Sequence, residues 1–76
     1  MRTDQEWQAV VKGIIRAELA RRQLSYADLA KRLSEIGVKE NARNISNKIN
    51  RGKFTAVFFV QCMEAIGCHT VHLNNN

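Results

Sequence analysis

At 76 residues the chain can build one domain, and a domain of that size buries only about 60% of its unfolded surface, which leaves little room for an enzyme cleft. Proline is absent, glycine numbers only 4, and Ala, Leu, Ile, Arg, Lys, Glu and Gln are abundant, so the composition predicts an all-α fold. The formal charge of +5 is concentrated in Lys12–Arg32, with six basic and two acidic residues, and Lys39–Lys53, with five basic and one acidic; such a field attracts polyanions, nucleic acid foremost, although a basic face kept for solubility carries the same net charge.

No apolar run approaches the ~20 residues that span a bilayer, and Met1 to Gln8 is too polar for a signal peptide. The expectation is a cytoplasmic protein without a membrane partner, in which Cys62 and Cys68 are reduced thiols.

The first helix is predicted over about 4–22. Trp7, Val10, Val11, Ile14, Ile15 and Leu19 recur at three- and four-residue steps and share one stripe. Thr3 or Asp4 can cap its start, Glu6 suits the positive end of its dipole, and Arg16, Arg21 and Arg22 suit the other end whatever the function, a dipole and solubility role that is at least as good a reading as a phosphate contact. Gln23-Leu24 makes the connection. Ser25-Tyr26-Ala27-Asp28 then opens a second helix, about 25–36, with a serine cap and an acid three residues on. Ala27, Leu29, Ala30 and Leu33 are expected to face inward. Gly37 is the stop, with Val38 folding back on Leu33 or Ile36.

Asn41 is the expected cap of a third helix, about 41–51, with Gly52 as its end. Ile45 and Ile49 give it one narrow apolar stripe. Arg43, Asn44, Ser46, Asn47, Lys48, Asn50 and Arg51 make up most of the rest. Asn and Ser are mediocre helix formers, so their density points to a face used for hydrogen bonding. Asparagine can pair with an adenine edge, arginine with a guanine edge, and lysine with phosphate oxygens; an ordinary solvated helix is the plain alternative.

A fourth helix is predicted over about 55–66. Ala56, Val57, Phe58, Phe59, Val60, Cys62, Met63, Ala65 and Ile66 cover most of its circumference, and a helix apolar nearly all round is buried on more than one side. Phe58, Phe59 and Cys62 are therefore candidates for a homodimer interface, with simple core packing as the competing reading. After Gly67 the tail, 67–76, is expected to be short and extended, with Val71 and Leu73 alternating with polar neighbours and Asn74-Asn75-Asn76 frayed.

Leu24-Ser25-Tyr26-Ala27-Asp28-Leu29-Ala30, then Ile45-Ser46-Asn47-Lys48-Ile49-Asn50-Arg51-Gly52-Lys53, then the apolar run Phe58 to Gly67, resemble in that order the lambda-repressor-like, or Xre-type, helix-turn-helix family, from Ile14 to Cys68. The resemblance implies a four- to five-helix bundle that binds double-stranded DNA as a homodimer, a small transcriptional regulator with its halves roughly one helical turn apart. It implies base contacts from Ala42, Arg43, Asn44 and Asn47, and sugar-phosphate contacts from Asn41, Ser46, Lys48, Arg51 and Lys53, with Ser25 and Tyr26 offering amides to a phosphate. Two departures stand out. The stretch from Ala30 to Ile45 is longer than the family's usual spacing, and Asn50 replaces a common glutamate. The chain is similar also to a small bacterial domain family of uncharacterised function that shares the lengthened turn.

Three other functions compete with this reading. Paired carboxylates, a P-loop and a glycine-rich nucleotide fingerprint are missing, which makes an enzyme the weakest reading, and neither a small-molecule ligand nor a cofactor is implied. Cys62, Cys68, His69 and His72 carry the right atoms for zinc, but their spacing departs from the usual paired knuckles, and no metal is expected. The stronger rival is a protein-interaction module that keeps the helix-turn-helix and has lost DNA binding.

Overall fold

Each helix begins on a side chain that takes up an amide left unpaired in the first turn. Thr3 Oγ1 accepts from the Glu6 amide at 3.2 Å while Glu6 Oε1 accepts from the Thr3 amide at 2.9 Å. Ser25 and Asp28 repeat this reciprocal pair at 3.1 and 2.9 Å. Asn41 Oδ1 accepts from the Asn44 amide at 2.8 Å, and Thr55 Oγ1 from the Phe58 amide at 3.0 Å. Caps of this kind stabilise a helix by about 1 kcal/mol apiece. The computed structural model describes residues 1–73, and the caps open α1 (Asp4–Arg21), α2 (Tyr26–Glu35), α3 (Ala42–Arg51) and α4 (Ala56–Ala65). Among the described residues there is no strand, and no helix is long and apolar enough to cross a membrane.

The helix ends are equally defined. The Val38 amide reaches back to the Leu33 carbonyl at 2.9 Å around Gly37, whose φ is +84°. α3 stops at Gly52, φ +65°, packed so closely on α1 that a Cβ there would lie 2.9 Å from both the Cβ and the carbonyl oxygen of Gln8. α1 stops in the same hand without a glycine: Gln23 takes φ +57° and the Leu24 amide donates to the Leu19 carbonyl at 2.9 Å.

Both α1 and α2 pack on α3 and α4. Ile15 and Leu19 of α1, Leu29 and Leu33 of α2, Ile45 and Ile49 of α3, and Phe58, Cys62 and Met63 of α4 form one core with Ile66 and Cys68. Leu24, Tyr26, Ala30, Val38, Phe54 and Phe59 ring it.

Several expectations need correction. Only Ile15 and Leu19 of the α1 stripe are buried, because that stripe is wider than the surface α3 and α4 offer it; Trp7 is exposed, with the Arg2 guanidinium 4.9 Å from its ring centroid. Ala27 is exposed rather than inward. The segment after Gly67 is irregular and is anchored by Cys68, whose amide donates to the Met63 carbonyl at 2.8 Å, while Val71 and Leu73 are exposed. The fraying expected of Asn74-Asn75-Asn76 lies outside the described residues.

Candidate nucleic-acid interface

α3 is seated by two fully buried side chains, Ile45 and Ile49, four residues apart on one line of the helix. With that line inward, Arg43, Asn44, Asn47, Asn50 and Arg51 come out exposed. No acidic residue lies anywhere in Ala42–Arg51. The outer face therefore presents only hydrogen-bonding amides and guanidinium groups.

Of the proposed base-contact residues, Arg43, Asn44 and Asn47 share this face, whereas Ala42 is half-buried on its shoulder. The residues proposed for phosphate divide. Arg51 and Lys53 are exposed at the C-terminal end of α3. Asn41 is exposed, but its side-chain oxygen already caps the helix, which leaves its amide group as the free donor. Ser46 is half-buried and accepts from Asn50 Nδ2 at 3.3 Å.

Lys48 departs from its expected role. Its ammonium is paired with the carboxylate of Glu40, which is only 11% exposed, and stands 4.7 Å from the Phe58 ring centroid. A cation engaged by a largely buried acid and an aromatic face is a brace between the α2–α3 connection, α3 and α4, and is not a free phosphate contact. Sequence reading missed Glu40; its only signal was an acid alone in a basic block.

The α2 N-terminus is likewise already occupied. Ser25 is exposed, yet its amide donates to Asp28 and its hydroxyl accepts from the Asp28 amide. Those bonds, the one from the Ser25 amide foremost, hold the Asp28 carboxyl below its ordinary value. A phosphate approaching here meets a carboxylate first, which corrects the expectation of an open anion site at Ser25. Tyr26 is half-buried against the core.

Asn50, the position where an acid was expected by resemblance, joins α1 to α3. Its side-chain oxygen accepts from Arg16 Nη2, and its backbone carbonyl accepts from Lys12 Nζ at 3.3 Å. Lys12 carries no signal of its own in the sequence, and Arg16 stands there only as one of three arginines for which a phosphate contact competes with a dipole and solubility role.

On α4, Phe58 and Cys62 are buried within the chain's own core, so they are corrected from interface to core residues. The reason is that α4 receives both α1 and α2. Phe59 is half-buried and stacks on Phe54 with centroids 6.4 Å apart. The apolar side chains left outside are Val57 and Val60, 66% and 61% exposed. Burial, foremost, pushes the Cys62 thiol up to about 12, the opposite of what a thiolate ligand needs. Cys68 Sγ donates to the Thr70 carbonyl at 3.3 Å, and His69 and His72 are exposed. No group of three or more His, Cys, Asp or Glu side chains converges among the described residues.

A family model described as a domain of unknown function, DUF6471, matches residues 7–71. No curated protein and no solved structure matches the chain.

Proposed function

The chain belongs to the DUF6471 family, and we propose that this member binds double-stranded DNA sequence-specifically as a small cytoplasmic transcriptional regulator of lambda-repressor-like design. The observation that carries the reading is the acid-free outer face of α3, with Arg43, Asn44, Asn47, Asn50 and Arg51 exposed together over a line of buried isoleucines. A helix anchored on one side and bearing two-pronged donors on the other is suited to a major groove. Arg43, Asn44 and Asn47 address base edges; Arg51 and Lys53 address the strand backbone. The homodimer contact in this proposal rests on Val57 and Val60.

Selection of bound fragments from a random duplex pool tests it. The expected result is an enriched site with two half-sites roughly one helical turn apart. Arg43→Ala or Asn44→Ala then relaxes preference at one or two positions by about 1–3 kcal/mol. Uniform weakening across all sequences by both variants would remove these residues from base reading.

A second reading is favoured by one observation, the exposed Val57 and Val60 beside Phe59. An apolar patch of this sort suits a protein partner, and a chain that fails to bind duplex DNA at low salt is a protein-interaction module.

A further inference from the structure

We propose that α1 supplies a second phosphate-binding rim to the DNA interface, formed by Lys12 and Arg16 where both converge on Asn50; this rests on the reading of α3 as the groove-facing helix. Lys48 and Asn50 are two residues apart, so they leave α3 on opposite sides. Lys48 turns toward Phe58 of α4, and Lys53 lines a cleft on that same side with Phe54 and Thr55. Asn50 turns toward α1, where Lys12 and Arg16, one turn apart on a single helix face, donate to its carbonyl and side-chain oxygen. The exposed amide and guanidinium face of α3 thus lies between a cationic edge from the α3–α4 turn and a cationic edge from α1.

The chemistry of Asn50 decides what the α1 edge can do. An amide oxygen and a backbone carbonyl orient the two cations and leave their charge intact, whereas a carboxylate there would neutralise one of them. Among the described residues the ion pairs are made by Arg21 and Arg22 with Glu18 and by Lys48 with Glu40; Lys12 and Arg16 enter none. A bond to the end of α3 would by itself explain one cation as a complement to the helix dipole. Lys12 and Arg16, joined at that end by Arg51, exceed that need, and gathering like charges is unfavourable unless a polyanion meets them. Arg16 keeps guanidinium N–H groups beyond the one given to Asn50, in the fork geometry that suits phosphodiester oxygens.

The test is the salt dependence of duplex binding by the whole chain. Lys12→Gln with Arg16→Gln should flatten the slope of log affinity against log salt by about 0.9 for each phosphate no longer neutralised, up to about 1.8. Asn50→Asp keeps both cations and neutralises one; it should flatten the slope by about 0.9 while the melting temperature holds or rises. Lys31→Gln, an exposed change on α2, should leave the slope near the wild type. Wild-type slopes in both the double variant and Asn50→Asp overturn the α1 rim while leaving the α3 reading in place, and equal flattening by Lys31→Gln overturns it by reducing the effect to net charge. Absence of duplex binding by the wild type at low salt overturns both.

Discussion

Lys48 is held in a way its position in a basic stretch does not announce. Its ammonium meets the mostly buried Glu40 carboxylate and the Phe58 ring, while its outer side remains in water. Removing its charge leaves Glu40 without its counter-ion, a larger loss than an exposed pair would suffer and a smaller one than a fully buried pair. Lys48→Met should therefore destabilise the domain by about 1–2 kcal/mol, lowering the melting temperature by about 4–8 °C for each kcal/mol in a domain of this size. In duplex binding the order reverses: Arg51→Gln should flatten the salt slope by about 0.9, and Lys48→Met by less than half of that. Thermal melts and salt titrations on the two variants check this; equal slopes would return Lys48 to the phosphate contacts.

Among the elements, the ends of α2 and α3 use glycine for different reasons. At Gly37 the backbone is left-handed but open, with nothing within 4 Å of an added Cβ; Gly37→Ala should cost about 1 kcal/mol of strain, or about 4–8 °C in melting. At Gly52 the same hand is combined with contact on the Gln8 backbone, so Gly52→Ala should cost at least about 2 kcal/mol, about 8–16 °C, because α1 and α3 must separate. Calorimetry would rank the pair, and equal losses would mean the α1–α3 approach is easily relaxed. Caps and glycine stops act within a few residues, which is why Thr3, Ser25, Asn41, Gly37 and Gly52 were legible in the sequence and why the four helices lie close to their expected bounds. The third-helix face was legible for the same reason, since Ile45 and Ile49 fix which side is inward. Long-range partners were not legible. Nothing local tells that Asn50 receives Lys12 and Arg16 from α1, that Glu40 seeks Lys48, or that Phe58 and Cys62 rather than Val57 and Val60 fill the space between helices. Gln23 hid the end of α1 because a glutamine in the left-handed region leaves no sequence mark.

For the molecule as a whole, three carboxylates set the response to acid. The Thr3 amide, with its hydroxyl, holds the Glu6 carboxyl below its ordinary 4.5; Arg22 and then Arg21 do so for Glu18; the Ser25 amide, with its hydroxyl, holds Asp28 below 3.8. A group whose folded pKa is depressed contributes stability that is complete above its unfolded pKa and disappears as pH falls through the folded one. Melting temperature should therefore be level near neutrality, begin to fall as pH drops through 4.5, and continue falling below 3.8. Circular dichroism melts across that range check it, and a melting temperature unchanged well below 3.8 would show that these bonds are equally strong in the unfolded chain. The same carboxylates sit at the starts of α1 and α2 and under the end of α1, so acid should loosen those helices before it reaches the Lys48–Phe58 contact.

Both native thiols are enclosed, Cys62 fully and Cys68 at 7% exposure, and Cys62 is further silenced by its protonation. Electrophilic labels consequently have no good target on the folded wild type. A single cysteine engineered at Asn47 would take a fluorophore or spin probe selectively, with no need to strip the native pair, and would report directly on whatever comes to rest against that side of α3.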